Sequence, residues 1–139
     1  MKKDVKATVA AIISKSDNDV EKILLTRRTV NPFAGMLCLP GGHIDRFETA
    51  KDAVIREVKE ETGLDFAPRF FYYFDEILET IDFHAVVIAF VGNASGTLVP
   101  QPDEVSEVYW LSVAEAQKHQ LAFQHNEIIA AYAAAQTNP

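Results

Sequence analysis

The chain has 139 residues, of which 48% are hydrophobic, and its formal net charge is −7 at pH 7. This length and composition fit one globular domain, so we expect residues 1–139 to form a single domain with its own core. The negative charge disfavours a nucleic-acid polymer as partner, and it would repel a phosphate substrate unless metal ions screened the site.

The sequence also favours a cytoplasmic protein. Cys38 is the single cysteine, so the chain cannot form an internal disulfide. The first residues, MKKDVKA, lack the apolar core of a signal peptide, and no apolar run is long enough to cross a membrane. We therefore expect a cytoplasmic location and no membrane partner.

Strands and helices are mixed along the chain. The hydrophobic pattern predicts strands at residues 5–13, 22–27, 69–78, 83–91 and 106–111, and helices at 113–119 and 126–135. The polar residues 14–21 predict a hairpin turn, and residues 39–42 predict a strand end followed by a flexible turn. With a central helix after that turn, the order indicates a mixed α/β fold.

The central helix carries three carboxylates on one face. Thr49 is a candidate N-cap and Gly63 a candidate C-terminal residue, so both ends of the helix are marked. Glu57, Glu60 and Glu61 are spaced i, i+3 and i+4, which places them within roughly 100° of arc. Such neighbours repel each other, and a hard divalent cation with oxygen ligands is the natural compensation. The pattern therefore predicts a metal site.

The residues around this face support the same interpretation. Arg56 precedes Glu60 by four residues and can orient the neighbouring carboxylates. Glycines at the upstream turn let the backbone approach a metal or a phosphate closely. A solubilising helix face usually interleaves lysine with glutamate, whereas Glu57 and Glu61 are here paired with each other. We therefore favour a metal site over a solvated face.

Residues 42–64, GHIDRFETAKDAVIREVKEETGL, resemble the signature of the Nudix hydrolases at every fixed position. The flanking segments LLTRRTVNPFAGMLCLPGG and EVSEVYWLS look like the strands that precede and follow this signature in the family. Glu48 matches the first glutamate of the signature, which helps to fix the loop and helix. Phe47 is a small departure, because many members have glycine at that variable position.

The resemblance implies a fold, a reaction and a set of ligands. The fold is an α/β/α sandwich with a mixed β-sheet and a central catalytic loop and helix. The reaction is hydrolysis of a nucleoside diphosphate linked to another moiety, and it requires Mg²⁺ or Mn²⁺. By position, Glu57, Glu60 and Glu61 are the implied catalytic metal ligands, Arg56 is their orienting partner, and Gly42 is the glycine that opens the metal-binding loop.

The family often adds one more carboxylate from a later loop, as a metal ligand or general base. The loop before Trp110 offers Asp103, Glu104 and Glu107. Glu104 matches best because of its place in a proline-bounded loop, and Glu107 is nearly as well placed. A polar surface loop is the alternative interpretation. The sequence leaves the choice between Glu104 and Glu107 open.

Candidate substrate contacts lie before the glycine turn. Arg27 and Arg28 end the second predicted strand and could bind substrate phosphates bidentately, although a solvated strand edge is an equal alternative. Phe33 could stack on a base. For the aromatic residues 70–74 we expect packing in the core. The four histidines show no ligand spacing, so none is assigned to a metal.

The substrate is predicted from a looser likeness. The run NPFAGMLCLPGGHID is similar to Nudix enzymes that act on ADP-ribose or reduced dinucleotides, which makes an ADP-ribose-like compound the leading substrate. A house-cleaning nucleoside triphosphate pyrophosphohydrolase is the second hypothesis. A nucleotide-sensing module without catalysis is the third, and it is disfavoured because every glutamate of the signature is present. The family's habit of pairing suggests a homodimer.

Overall fold

The computed structural model of the protein describes residues 4–101, 103 and 105–137. The strands of this part of the chain are β1 (Lys6–Asp17), β2 (Val20–Arg28), β3 (Leu37–Cys38), β4 (Gly41–His43), β5 (Asp65–Leu78), β6 (Phe83–Ser95) and β7 (Val105–Ser112). Its α-helices are α1 (Ala50–Thr62), α2 (Val113–Gln117) and α3 (His125–Thr137), and a 3₁₀ turn covers Glu79–Ile81.

Strand β1 lies at the centre of the sheet. It runs parallel to β6, with Lys6 opposite Ala85 at one end of the pairing and Ile13 opposite Gly92 at the other. It also pairs antiparallel with β4 through its first half and with β2 through its last four residues. Strand β5 lies beyond β6, and both β3 and β7 pair with β2. One parallel pair among antiparallel ones makes the sheet mixed, as predicted.

Successive side chains of β1 enter two different core layers. Val9, Ala11 and Ile13 pack in one cluster with buried residues of α1. Ala10 and Ile12 pack in a second cluster with buried residues of α2 and α3. The side chains of a strand alternate between its two faces, so one strand serves both layers. The arrangement confirms the α/β class and the sandwich of a sheet between helices.

Helix α1 begins and ends where the sequence predicted. The Oγ1 atom of Thr49 accepts a hydrogen bond of 3.0 Å from the Asp52 N–H. Gly63 has a left-handed φ of 78°, and its N–H donates to the Lys59 carbonyl. A glycine in this conformation closes a helix without the strain that a Cβ would bring. These two caps fix which residues of α1 face the rest of the molecule.

The hairpin turn between β1 and β2 is shorter than predicted. Residues 14–17 continue β1, and Asp17 is directly opposite Val20. Only Asn18 and Asp19 form the turn, and both have positive φ, of 51° and 66°. Such a two-residue turn suits the twist of a hairpin, and asparagine and aspartate tolerate positive φ. The polar residues beside it therefore belong to the paired ends of β1 and β2, not to a loop.

The prediction of core packing for residues 70–74 was wrong for three of the five side chains. Phe70, Tyr72 and Tyr73 are 61%, 55% and 46% exposed. Phe71 and Phe74 do pack against the core. A register shift between Phe70 and Tyr72 lets these two side chains, three residues apart, share the inner face. The other three aromatic side chains are exposed.

No helix of the described residues has the length and apolar character that crossing a membrane requires.

Replacing Ile12 by alanine should lower the free energy of unfolding by about 2–5 kcal/mol, because it leaves a cavity in a fully packed layer. Ile12 is completely buried, whereas Val20 at the start of β2 is 48% exposed. Urea denaturation of the Ile12→Ala variant measures the loss, and Val20→Ala is the control. Equal stability of the two variants would contradict the two-layer core.

Candidate active site

A cavity of about 480 Å³ lies where several elements of the sheet meet α1 and the start of α3. Glu57 and Glu61 of α1 and Gly41 and Gly42 of β4 line this cavity. Its other lining residues include Arg28, Cys38, Glu76, Phe83, Phe123 and His125. A cavity of this size with a few polar groups is typical of a small-molecule site.

The two glycines of β4 position the carboxylates of α1. The Gly41 N–H donates to Glu61 Oε2 at 3.0 Å. A Cβ on Gly41 would lie 2.1 Å from the Val9 carbonyl oxygen, so β4 could not lie so close to β1 with any other residue. A Cβ on Gly42 would lie 2.6 Å from the Glu57 carboxylate. Close approach of the backbone therefore requires a glycine at position 41, and the glycine at position 42 leaves room for the Glu57 carboxylate.

The guanidinium of Arg56 connects the loop before α1 to the acidic face of the helix. Its Nε donates to Glu48 Oε2 at 2.7 Å, and its NH2 donates to the His43 carbonyl at 3.1 Å. Its NH1 donates to Glu57 at 2.9 Å and to Glu60 at 3.2 Å. A planar fork with five donors suits this task, because it can hold several oxygens in fixed directions.

These contacts keep the loop carboxylate charged. Hydrogen bonding to Arg56, with a further hydrogen bond from the Asp45 N–H, lowers the pKa of Glu48 to about 2. The same carboxylate raises the pKa of the Arg56 guanidinium above its ordinary value. Both groups are therefore ionised at any pH at which the protein would act, and the loop is held to the helix by charge.

The acidic face of α1 provides the oxygen donors that a hard divalent ion takes. Glu61 is 7% exposed, and the side chains of Glu57 and Glu60 are 13% and 50% exposed. Among the described residues, no three acidic, histidine or cysteine side chains are already gathered as a metal site. Arg56 holds Glu57 and Glu60, and the Gly41 N–H holds Glu61. The donor set and the glycine cradle fit a divalent ion, although the donors are not convergent.

Arg27 lies away from the cavity wall. Its Nε donates to Glu107 Oε1 at 2.8 Å, and its NH1 donates to the Gly35 carbonyl at 2.8 Å. Its NH2 donates to the Tyr109 hydroxyl. Arg27 on β2 and Glu107 on β7 therefore form an ion pair across neighbouring strands, and neither residue lines the cavity.

Arg28 does line the cavity, beside the ring of Phe123. Its Nε donates to the Pro32 carbonyl at 2.8 Å, and its guanidinium carbon lies 4.8 Å from the centre of the Phe123 ring. Phe33 does not line the cavity, but its ring contacts Phe123 edge to face at 5.0 Å. Phe33 thus supports an aromatic residue of the wall.

Two of the three candidates for the further carboxylate, Asp103 and Glu107, lie among the described residues. The backbone carbonyl of Asp103 accepts a hydrogen bond of 2.8 Å from the Thr29 hydroxyl. Glu104, the preferred candidate, lies outside the described residues. Its role stays a prediction.

Sequence reasoning missed two buried polar residues of the cavity, Glu76 on β5 and His125 at the start of α3. Glu76 is 2% exposed and His125 is 7% exposed. Burial raises the pKa of Glu76 and lowers the pKa of His125 to about 3. A signal was available for Glu76, because it shares the inward alternation of Phe74 and Leu78 on β5.

Comparison with known proteins agrees with this geometry. The family model described as NUDIX domain matches residues 5–132. An ADP-ribose pyrophosphatase of Methanocaldococcus jannaschii is 36% identical over 127 residues, which cover 89% of this chain and 70% of that protein. An 8-oxo-dGTP diphosphatase of Escherichia coli is 36% identical over 73 residues, which cover 52% of this chain and 54% of that protein.

The fold has a close counterpart among solved structures. The cocrystal structure of the NUDIX domain of Shewanella oneidensis NrtR with ADP ribose matches with a TM-score of 0.85 at 24% identity, covering 97% of this chain and 90% of that one. Together with the family model, these findings show that the chain belongs to the Nudix family and is a Nudix hydrolase. Hydrolases of this family generally use a divalent metal ion.

Replacing Glu48 by glutamine should reduce the pH dependence of stability in acid. A carboxyl with a lowered pKa in the folded protein stabilises it above the unfolded pKa, and this stabilisation is lost as the pH falls through the folded pKa. For Glu48 the loss occurs between about pH 4.5 and pH 2. The difference in unfolding free energy between wild type and Glu48→Gln should therefore shrink over this range.

Urea denaturation at several pH values measures this difference. Glu79→Gln is the matched control, since Glu79 is an exposed glutamate outside the site. A difference that is independent of pH would mean that the contact between Glu48 and Arg56 does not stabilise the fold.

Proposed function

We propose that this Nudix hydrolase cleaves the diphosphate bond of a nucleoside diphosphate linked to another moiety, with an ADP-ribose-like compound as its preferred substrate. The main observation is that Glu57 and Glu61 meet the glycines of β4 at one cavity of about 480 Å³. The 36% identity to an ADP-ribose pyrophosphatase over 89% of the chain supports the choice of substrate.

In this proposal Glu57, Glu60 and Glu61 hold Mg²⁺, or Mn²⁺, beside the backbone of Gly42. A divalent ion supplies Lewis-acid activation of water and neutralises negative charge at the reacting phosphoryl group. Arg56 orients the carboxylates in advance, since its NH1 donates to both Glu57 and Glu60.

Other residues would bind the remaining charge of the substrate. Arg28 is the cavity-lining arginine, and we propose that it contacts a phosphate. Arg27 precedes Arg28 on the same strand, and it could bind a phosphate only by giving up its hydrogen bond to Glu107. Glu104 remains our candidate for the additional carboxylate, as general base or metal ligand.

The proposed reaction is a simple hydrolysis. The oxygen of water forms a bond to one phosphorus, the bridging bond from that phosphorus to oxygen breaks, and a proton is released to the solvent. The products are a nucleoside monophosphate and a phosphorylated second moiety. This chemistry needs no further co-reactant.

A triphosphate pyrophosphohydrolase is the second candidate function. It is favoured by the 36% identity to an 8-oxo-dGTP diphosphatase, although this match covers 52% of the chain. The two candidates share the carboxylates of α1 and differ in products, because a triphosphate would yield pyrophosphate. Separation of the products by chromatography distinguishes them.

We also propose the biological setting. The net charge of −7 supports small nucleotides over nucleic-acid polymers as partners. A cytoplasmic location, a single domain over residues 1–139 and a homodimer complete the proposal.

Replacing Glu57 or Glu61 by glutamine should lower the rate of metal-dependent hydrolysis by at least ~100-fold, because an amide is a weaker ligand for a hard cation. The measurement is a screen with Mg²⁺ and Mn²⁺ over ADP-ribose, NADH, nucleotide sugars, dinucleoside polyphosphates and triphosphates. Asp52→Asn is the control, since Asp52 is an exposed carboxylate on the same helix. Full activity of both glutamine variants would refute the assignment.

Replacing Gly42 by alanine should displace the Glu57 carboxylate, which a Cβ would approach to 2.6 Å. The contact is with the far end of a flexible side chain, so the fold should survive while metal binding weakens by about 10–100-fold. Titration of Mn²⁺ followed by electron paramagnetic resonance measures this affinity without any turnover. Unchanged affinity in a folded Gly42→Ala variant would show that Glu57 is not a ligand.

A further inference from the structure

The cavity wall also carries a pair of polar side chains that do not belong to α1. Glu76 of β5 and His125 of α3 both line it, and they are 2% and 7% exposed. The metal-binding chemistry proposed for α1 uses neither residue. A carboxyl group buried this deeply loses hydration, and natural proteins keep such a group where it has a polar partner or a role.

The hydrogen bonds of His125 determine which of its nitrogens is a donor. The Leu39 N–H donates to His125 Nδ1 at 3.0 Å, so Nδ1 is the acceptor and the neutral ring carries its hydrogen on Nε2. Burial lowers the pKa of His125 to about 3, which keeps this form at neutral pH. His125 therefore presents an N–H donor at the cavity wall.

Glu76 provides an acceptor next to that donor. Its Oε2 accepts a hydrogen bond of 3.1 Å from the Gln124 N–H. The same oxygen is 3.9 Å from His125 Nε2, which is too long for a hydrogen bond. The donor and the acceptor thus lie side by side without bonding to each other. In addition, Gln124 Oε1 is buried without a hydrogen-bond partner among the described residues.

Flat apolar surfaces flank this pair. The Phe123 ring lies 5.3 Å from the Phe83 ring and 5.5 Å from the His125 ring, measured between centroids. Both phenylalanines line the cavity. The guanidinium of Arg28 covers the Phe123 ring at 4.8 Å. Aromatic planes are the surfaces on which a planar heterocycle stacks.

We propose that Glu76 and His125 determine specificity by reading the edge of the nucleobase, and that the base they fit is adenine. The His125 Nε2–H donates to a ring nitrogen, and a Glu76 carboxyl oxygen accepts from the exocyclic amino group beside it. Adenine and cytosine both present such an acceptor and donor next to each other, and the ADP-ribose-like substrate proposed above selects adenine. The inference rests on the proposed function, because it assigns a base to the substrate of the same cavity.

The first test compares two ligands that the enzyme cannot hydrolyse. AMP and purine riboside 5′-monophosphate differ only in the amino group, and isothermal titration calorimetry gives the Kd of each. The wild-type protein should bind AMP about 10-fold more tightly, since loss of the amino group leaves the buried Glu76 acceptor without its hydrogen bond, which costs about this much. Equal affinities, or no binding of AMP, would overturn the inference.

The second test assigns the two contacts to the two residues. In Glu76→Leu the preference for AMP should disappear, whereas in Glu76→Gln, which retains an acceptor oxygen, part of it should remain. His125→Phe should weaken the binding of both monophosphates, because both carry the ring nitrogen that His125 contacts. Asp75→Leu is the matched control, because Asp75 is an exposed neighbour on β5 that does not line the cavity. A folded Glu76→Leu variant that keeps the full preference would overturn the assignment.

Kinetics then separate base recognition from a structural role. With ADP-ribose as substrate, Glu76→Leu should raise KM by about 10-fold and change kcat little, because the contact is made equally in ground and transition states. With the purine riboside analogue of ADP-ribose, which lacks only the amino group, the variant and the wild type should have similar KM values. An equal fall in kcat on both substrates would indicate a general loss of structure and would contradict base reading.

Failure of this inference is distinguishable from failure of the proposed function. Hydrolysis of ADP-ribose without discrimination between the two monophosphates would refute base reading and leave the function standing. Selective binding of AMP without turnover of any nucleoside diphosphate derivative would refute the function and leave base reading standing.

Discussion

The site depends on one ionic contact, between the Arg56 guanidinium and the carboxylates around it. Arg56 bonds to Glu48 and the His43 carbonyl on the loop side and to Glu57 and Glu60 on the helix side. Carboxylates at helical spacing repel each other, and a central cation reverses the sign of that interaction. Removing Arg56 would therefore release the loop and leave the acidic face of α1 uncompensated.

The sheet fixes the positions of the loop and the helix that Arg56 connects. Strand β1 holds β4 through backbone hydrogen bonds, and β4 carries the glycine whose N–H binds Glu61. The same strand packs on α1 through alternate side chains. Strand β1 therefore fixes the positions of both the loop and the helix. An error in the register of β4 would move the glycines and the carboxylates relative to each other.

The local parts of this design could be predicted from the sequence. Thr49 and Gly63 bound α1 by interactions over three or four residues, and the spacing of the glutamates fixes their common face. Hydrophobic periodicity located the later strands and helices, although β5 and β6 are each four residues longer than predicted. The two-residue turn at Asn18 and Asp19 was missed because the polar residues beside it resemble a loop, although they pair as strands.

The other half of the cavity could not be predicted, because its contacts are distant in sequence. His125 accepts its hydrogen bond from Leu39, 86 residues earlier, and Glu76 accepts from Gln124, 48 residues later. Arg27 was a candidate phosphate contact, with a solvated strand edge as the equal alternative, and a strand pairing over 80 residues brings Glu107 to it. Periodicity assigns a side chain to a face, and only the topology decides which side chains meet there.

The uncharged state of His125 has a consequence for the protein in acid. The unfolded chain takes up a proton on this imidazole near pH 6.5, whereas the folded protein does so only near pH 3. Between these values protonation favours the unfolded state, so the contribution of His125 to stability falls as the pH falls. The residue that keeps a constant donor at the cavity in neutral solution therefore makes the fold sensitive to acidification.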